Sequence, residues 1–88
     1  PQNHIFIGKK PVMSYAMSAM IQLSHSDDIV LKARGMVISR AVDVAEVISK
    51  RLGKNTFVLK GISIDTESVG EGQDARNVST IEISIGKQ

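Results

Sequence analysis

Apolar positions along the chain fall into blocks whose spacing predicts an alternation of strands and helices. His4–Gly8 reads as a short strand. Its consecutive Ile5, Phe6 and Ile7 have the pattern of a strand buried on both faces. Pro11 suits the first position of a helix, where its missing N–H has no partner to lose. That helix runs to about Leu23, with Met13, Ala16, Met17, Met20 and Leu23 on one face and Ser14, Ser18 and Gln22 on the other. Ile29–Arg34 alternates as a second strand, with Ile29, Leu31 and Ala33 facing one way and Val30, Lys32 and Arg34 the other. Gly35 makes a turn, and Met36–Leu52 is a second helix with Val37, Ala41, Val44, Ala45, Ile48 and Leu52 as its stripe. Glu46 is spaced to pair with Lys50, and Gly53 stands at the C′ position.

Two longer strands close the chain, Phe57–Glu67 and Val78–Ile85. In the first, apolar parity slips from odd (Phe57, Leu59) to even (Ile62, Ile64) across Gly61, which predicts a bulge there. The Gly-rich, acidic stretch Ser68–Asn77 is too long for a tight hairpin and is expected to project as a mobile arm. The order β-α-β-α-β-β belongs to the α/β class: a two-layer sandwich of two helices and a four-stranded mixed sheet, with helices on one or both faces.

With 88 residues, 42% hydrophobic and 23% charged, residues 1–88 make one domain and are too apolar for a disordered chain. Aromatics are only 3% (Phe6, Tyr15 and Phe57), so the core is aliphatic, and a domain this small gains from dimerisation. There is no cysteine, which excludes a disulfide scaffold, a thiolate nucleophile and a cysteine metal site. The chain shows neither a secretory signal nor a membrane-length apolar run, so no membrane partner and a cytoplasmic location are expected. Charge is divided unevenly: residues 1–64 carry a net +5 and residues 65–88 a net −3. That split favours an anionic partner on one side of the molecule.

Parallel strands share a carboxyl edge, where open α/β sheets bind their ligands. The predicted topology gathers Lys9, Lys10, Lys32, Arg34 and Arg76 along it. Lys9 and Lys10 are the sharpest anomaly, because stability favours Asp, Ser or Glu before a helix; the pair is either a solvated loop or, with the helix N-terminus, a phosphate site. Arg34 is a ligand group, a solvated cation at a strand end, or a partner of Asp27 or Asp28. Lys32 covers apolar surface with its stem or binds. Arg40 lies on the polar face of the second helix, and Arg76 has Glu71 and Asp74 nearby. Tyr15, in the first helical turn, either packs in the core or offers its hydroxyl to a phosphate. His4 and His25 lie at opposite ends of the first strand–helix unit, too far apart to share a metal. No nucleophile elbow and no P-loop is present. The inventory implies no enzyme, no metal and no cofactor.

The string Ile7-Gly8-Lys9-Lys10-Pro11-Val12-Met13-Ser14-Tyr15, then Lys32-Ala33-Arg34-Gly35, Ile38-Ser39-Arg40-Ala41-Val42-Asp43 and Val78-Ser79-Thr80-Ile81-Glu82-Ile83, resembles the Alba family of archaeal nucleic-acid-binding proteins over nearly the whole chain. The resemblance implies a fold like the C-terminal domain of translation initiation factor three. It also implies a homodimer, or a heterodimer with a paralogue, and sequence-independent binding of double-stranded DNA and RNA on the chromosome. Lys9 and Lys10 match the family's paired lysines on the DNA-facing surface. One of that pair is the family's acetylation target, which implies an acetylase and a deacetylase as partners. Arg34 matches the arginine of the K-A-R-G motif, and the β-hairpin arms of the family reach along the minor groove. Met36 stands where many members carry a basic residue, the arm has Glu71 and Asp74 beside a single Arg76, and Leu52 stands where some members carry an aromatic that helps dimers stack.

The expected nucleic-acid-binding residues are therefore Lys9, Lys10, Tyr15, Lys32, Arg34, Arg40 and Arg76, with Lys9 and Lys10 as modification sites. The expected function is that of a chromatin protein that coats or compacts duplex DNA as a dimer and also binds RNA. The alternative is an RNA-binding subunit of an RNA-processing particle.

Overall fold

A computed structural model describes residues 3–88. β1 (His4–Phe6), α1 (Val12–Leu23), β2 (Asp28–Arg34), α2 (Ile38–Val47), β3 (Phe57–Val69) and β4 (Arg76–Lys87) follow one another in the expected order. The sheet order is β1-β2-β4-β3. β1 and β2 are parallel, and β4 lies antiparallel to both β2 and β3. Three strands thus run one way, as expected, but β4 separates β3 from β2.

Burial alternates along the strands. Ile5, Ile7, Ile29, Leu31, Ala33, Ile81, Ile83 and Ile85 pack beneath the helices with Ala16, Ala19, Leu23, Ala41, Val44 and Ile48. Both helices cover this one face. The other stays open, and Phe6, expected to be buried, is 70% exposed on it. An apolar triplet cannot distinguish a strand covered twice from one covered once.

Pro11 is one residue earlier than expected: it caps α1 in an extended conformation, and its carbonyl accepts from the N–H of Ser14 at 3.0 Å. The buried face of α1 is also rotated. Tyr15, Ala16, Ala19 and Leu23 are inside, whereas Met13 and Met17 are exposed. Helix α1 has only a narrow polar stripe at Ser14, Ser18 and Gln22, so periodicity leaves the buried face loosely set; the small Ala16 and Ala19 fix it, by admitting close packing. The second helix is composite. A 3₁₀ turn at Gly35–Val37 precedes α2, a wide π turn at Ile48–Leu52 follows it, and the Glu46–Lys50 pair forms at 2.9 Å. Gly35 has φ +62°, the left-handed conformation a glycine takes most readily. Gly53 does not: its φ is −112°, and it is needed because a Cβ there would run into the ring of Phe57.

The bulge lies where expected, between Leu59 and Gly61. The Ser68–Asn77 arm is shorter as a loop and longer as a ladder than expected: Ser68 pairs with Asn77 and Val69 with Arg76, leaving only residues 70–75 as a connection. Most residues of the ribbon face water on both sides, so they carry little hydrophobic alternation by which to be recognised as strand. This ribbon contributes to a molecule measuring 48 × 22 × 19 Å.

Candidate nucleic-acid interface

The loop Gly8–Lys10 joins β1 to α1 at the carboxyl edge of the parallel pair. The hydroxyl of Tyr15 accepts the N–H of Gly8 at 2.8 Å and that of Lys10 at 3.0 Å. From α2, Arg40 donates Nη1–H to the carbonyl of Lys10 at 2.8 Å. Three backbone groups are thus satisfied by side chains, so the loop is held while the Lys9 and Lys10 side chains remain exposed. The α1 N-terminus has neither an acidic residue in its first turn nor a side-chain cap. Its partial positive charge adds to that of the two lysines. Among the described residues, neither lysine has a carboxylate within 4.0 Å. Of the two readings of Tyr15, the ring takes the core position and the oxygen faces the loop.

On the open face of β2 the cations are paired. Lys32 lies 3.5 Å from Glu82, its cross-strand neighbour, and Arg34 lies 3.0 Å from Glu67 of β3. Sequence reasoning offered Asp27 or Asp28 as the partner of Arg34. Instead Asp28 accepts from Asn3 and Asp27 lies 3.8 Å from Lys87. Nothing in the sequence signals Glu67, because it depends on β3 rising alongside β4 beyond the helices. The Arg34–Glu67 pair is exposed, and an ion pair of this kind is worth about 0–1 kcal/mol, so a phosphate can displace Glu67 at little cost, whereas Lys32 is partly buried. Arg76, by contrast, has no carboxylate within 4.0 Å among the described residues, although Glu71 and Asp74 are close in sequence.

Arg34 and Arg76 line one groove of about 650 Å³ at the foot of the arm, with Gly35, Val69, Asn77 and Met36, the last 96% exposed. Arg34 and Lys32 line a second, of about 390 Å³, on the open sheet face. The predicted residues therefore form linked groups: Lys10 with Arg40 and Tyr15, and Arg34 with Lys32 on one side and Arg76 on the other. Such a surface, with exposed cations on long side chains and open grooves, can hold a polyanionic backbone. No cluster of three His, Cys, Asp or Glu side chains able to hold a metal occurs among the described residues. No helix among them is long and apolar enough to cross a membrane.

Comparison with known proteins points to one family. Residues 3–66 match the family model described as Alba. The chain is 48% identical over 83 residues to the DNA/RNA-binding protein Alba of Nitrosopumilus maritimus, covering 92% of this chain and 86% of that one. It is 44% identical over 88 residues to DNA/RNA-binding protein Alba 1 of Archaeoglobus fulgidus, covering 99% and 98% respectively. The solved structure of Alba from Thermoplasma volcanium superposes with a TM-score of 0.83 at 40% identity, over 96% of this chain and 99% of that one.

Proposed function

This chain belongs to the Alba family, and from that premise we propose that it is a DNA- and RNA-binding chromatin protein that coats duplex DNA as a dimer without reading its sequence. The observation that carries the reading is the pair Lys9 and Lys10. They are exposed, have no carboxylate partner among the described residues, and sit on a backbone fixed by Tyr15 and Arg40 at an uncapped helix N-terminus. Binding of this kind is dominated by phosphate contacts and counterion release. Neither helix presents a row of side chains suited to base edges in the major groove, so base readout is minor.

The dimer reading rests on an apolar stripe. Leu59, Ile62 and Ile64 of β3 are 47%, 60% and 78% exposed, and Ile62 and Ile64 sit opposite the buried Ile83 and Ile81. Cross-strand partners share a face, so the stripe continues the core beyond the helices, and a second copy (identical or paralogous) would cover it. Two basic surfaces then lie on one particle, with the arms free to follow the DNA. The exposed Lys9 and Lys10 are the expected acetylation sites, served by an acetylase and deacetylase pair, and loss of either charge weakens binding. The residues act by binding rather than catalysis, in a single domain associated with the chromosome in the cytoplasm.

The test is a mobility-shift titration of duplex DNA with the wild type and with Lys9→Glu/Lys10→Glu. Circular dichroism of the variant checks that it is folded. Replacing both cations with anions is expected to cost roughly a hundredfold in affinity at moderate salt. Wild-type affinity in the folded double variant would remove the lysine loop from the interface.

A further inference from the structure

We propose that the open face of the sheet holds one unpaired nucleobase, stacked on Phe6, as a single-strand site separate from the lysine loop. The proposal rests on the nucleic-acid-binding reading and adds a site and a ligand class to it.

Phe6 is one of three aromatic residues, and it is the one left 70% exposed. It does not stand alone. The register places Phe6 beside Lys32 and Lys32 beside Glu82, so the three form one row across β1, β2 and β4 on the same face. The Lys32 ammonium lies 5.8 Å from the Phe6 ring centre and 3.5 Å from the Glu82 carboxylate. Arg34 stands two residues further along β2 and pairs with Glu67, and Thr80 is its cross-strand neighbour. Together these side chains line the groove of about 390 Å³, within the range that accepts a small planar molecule.

Each part has a counterpart in a nucleotide. The ring offers a flat apolar surface for stacking. The Lys32–Glu82 pair presents a cationic donor beside an anionic acceptor, which matches the alternating acceptors and donors on the edge of a base. Arg34, released from Glu67, takes the neighbouring phosphate as a bidentate donor. A duplex cannot use this arrangement, because the faces of its bases are already stacked on one another; only an unpaired base can lie on Phe6. The groove therefore selects single-stranded segments and loops, whereas the lysine loop takes any phosphate backbone.

Fluorescence anisotropy with a labelled oligouridylate, the same oligonucleotide carrying abasic sites, and a duplex DNA of similar length tests this. Phe6→Leu keeps an apolar side chain and removes the aromatic face. It is expected to weaken oligouridylate binding about tenfold, with duplex binding unchanged. The abasic oligonucleotide is expected to bind wild type and variant alike. Phe6→Trp adds the only tryptophan of the chain at the site and gives a second reading, since a stacked base would quench its emission. Equal oligouridylate binding by wild type and Phe6→Leu, or tryptophan emission that does not respond to saturating oligouridylate, overturns the site. If the wild type binds duplex but ignores Phe6, only this site is lost. If it binds no duplex at low salt, the chromatin reading falls instead.

Discussion

Arg40 of α2 donates to the carbonyl of Lys10 at 2.8 Å, so a cation on one helix fixes the backbone from which a cation on the preceding loop projects. The bond crosses from the second helix to the entrance of the first. It leaves the Lys10 side chain unconstrained while removing freedom from its main chain. In the proposed reading, a ligand at this loop orders side chains only, because the entropy of ordering the loop has already been met in folding.

Tyr15 holds the other side of the same loop, which gives a prediction that separates positioning from contact. Tyr15→Phe keeps the buried ring but leaves the N–H groups of Gly8 and Lys10 without their acceptor. A destabilisation of about 1–3 kcal/mol is expected in denaturant unfolding. Duplex affinity should fall several-fold while the salt dependence keeps its slope, because the number of phosphates contacted is unchanged. A slope reduced by a full contact would instead assign the hydroxyl to the phosphate.

The Arg34–Glu67 pair predicts a variant that binds more tightly. Glu67→Gln removes the carboxylate that occupies Arg34 at 3.0 Å and lowers the negative charge beside the arm. Both side chains are more than half exposed, so folding stability should change by less than about 1 kcal/mol. Duplex affinity should rise and the log–log salt slope should steepen by up to about one. Filter binding across a salt series reads both quantities, and an unchanged slope would mean that Arg34 does not reach a phosphate.

These cations also mark where sequence reading reached its limit. The edge on which Lys9, Lys10 and Arg34 lie follows from the alternation of strands and helices along the chain, and that alternation follows from hydrophobic period, so it was legible. Ile29, Leu31 and Ala33 could be assigned to one face for the same reason, and the Gly61 bulge from a slip in parity. The ion partners were not legible. Glu67 and Glu82 meet Arg34 and Lys32 only because β4 inserts between β2 and β3, a choice that no local pattern encodes. Phe6 misled for a related reason: its neighbours predict burial, but the helices cover only one side of the sheet.

Gly53 gives a prediction confined to the fold. A methyl group there would meet the ring of Phe57 and the carbonyl of Ile48, the latter at 2.8 Å. The backbone conformation itself is open to any residue, with φ −112°. Gly53→Ala therefore tests packing alone and is expected to cost on the order of 1–3 kcal/mol. Gly61, with nothing within 4 Å of an added methyl, is the control: Gly61→Ala should change stability far less. Thermal unfolding of the two variants side by side checks the contrast.

The exposed stripe on β3 links assembly to binding. Ile64→Asp places a charge on a residue that is 78% exposed, so the monomer fold should survive, whereas a second copy could bury that charge only at a large desolvation cost. Sedimentation should then show a monomer in place of a dimer. If a dimer neutralises about four to eight phosphates, its log–log salt slope is roughly −4 to −7, and a monomer should give about half of that. The slope ties the two measurements together. A variant that sediments as a monomer yet keeps the full slope would mean that one copy already makes all the phosphate contacts, and the basic surfaces of a pair would not act as one.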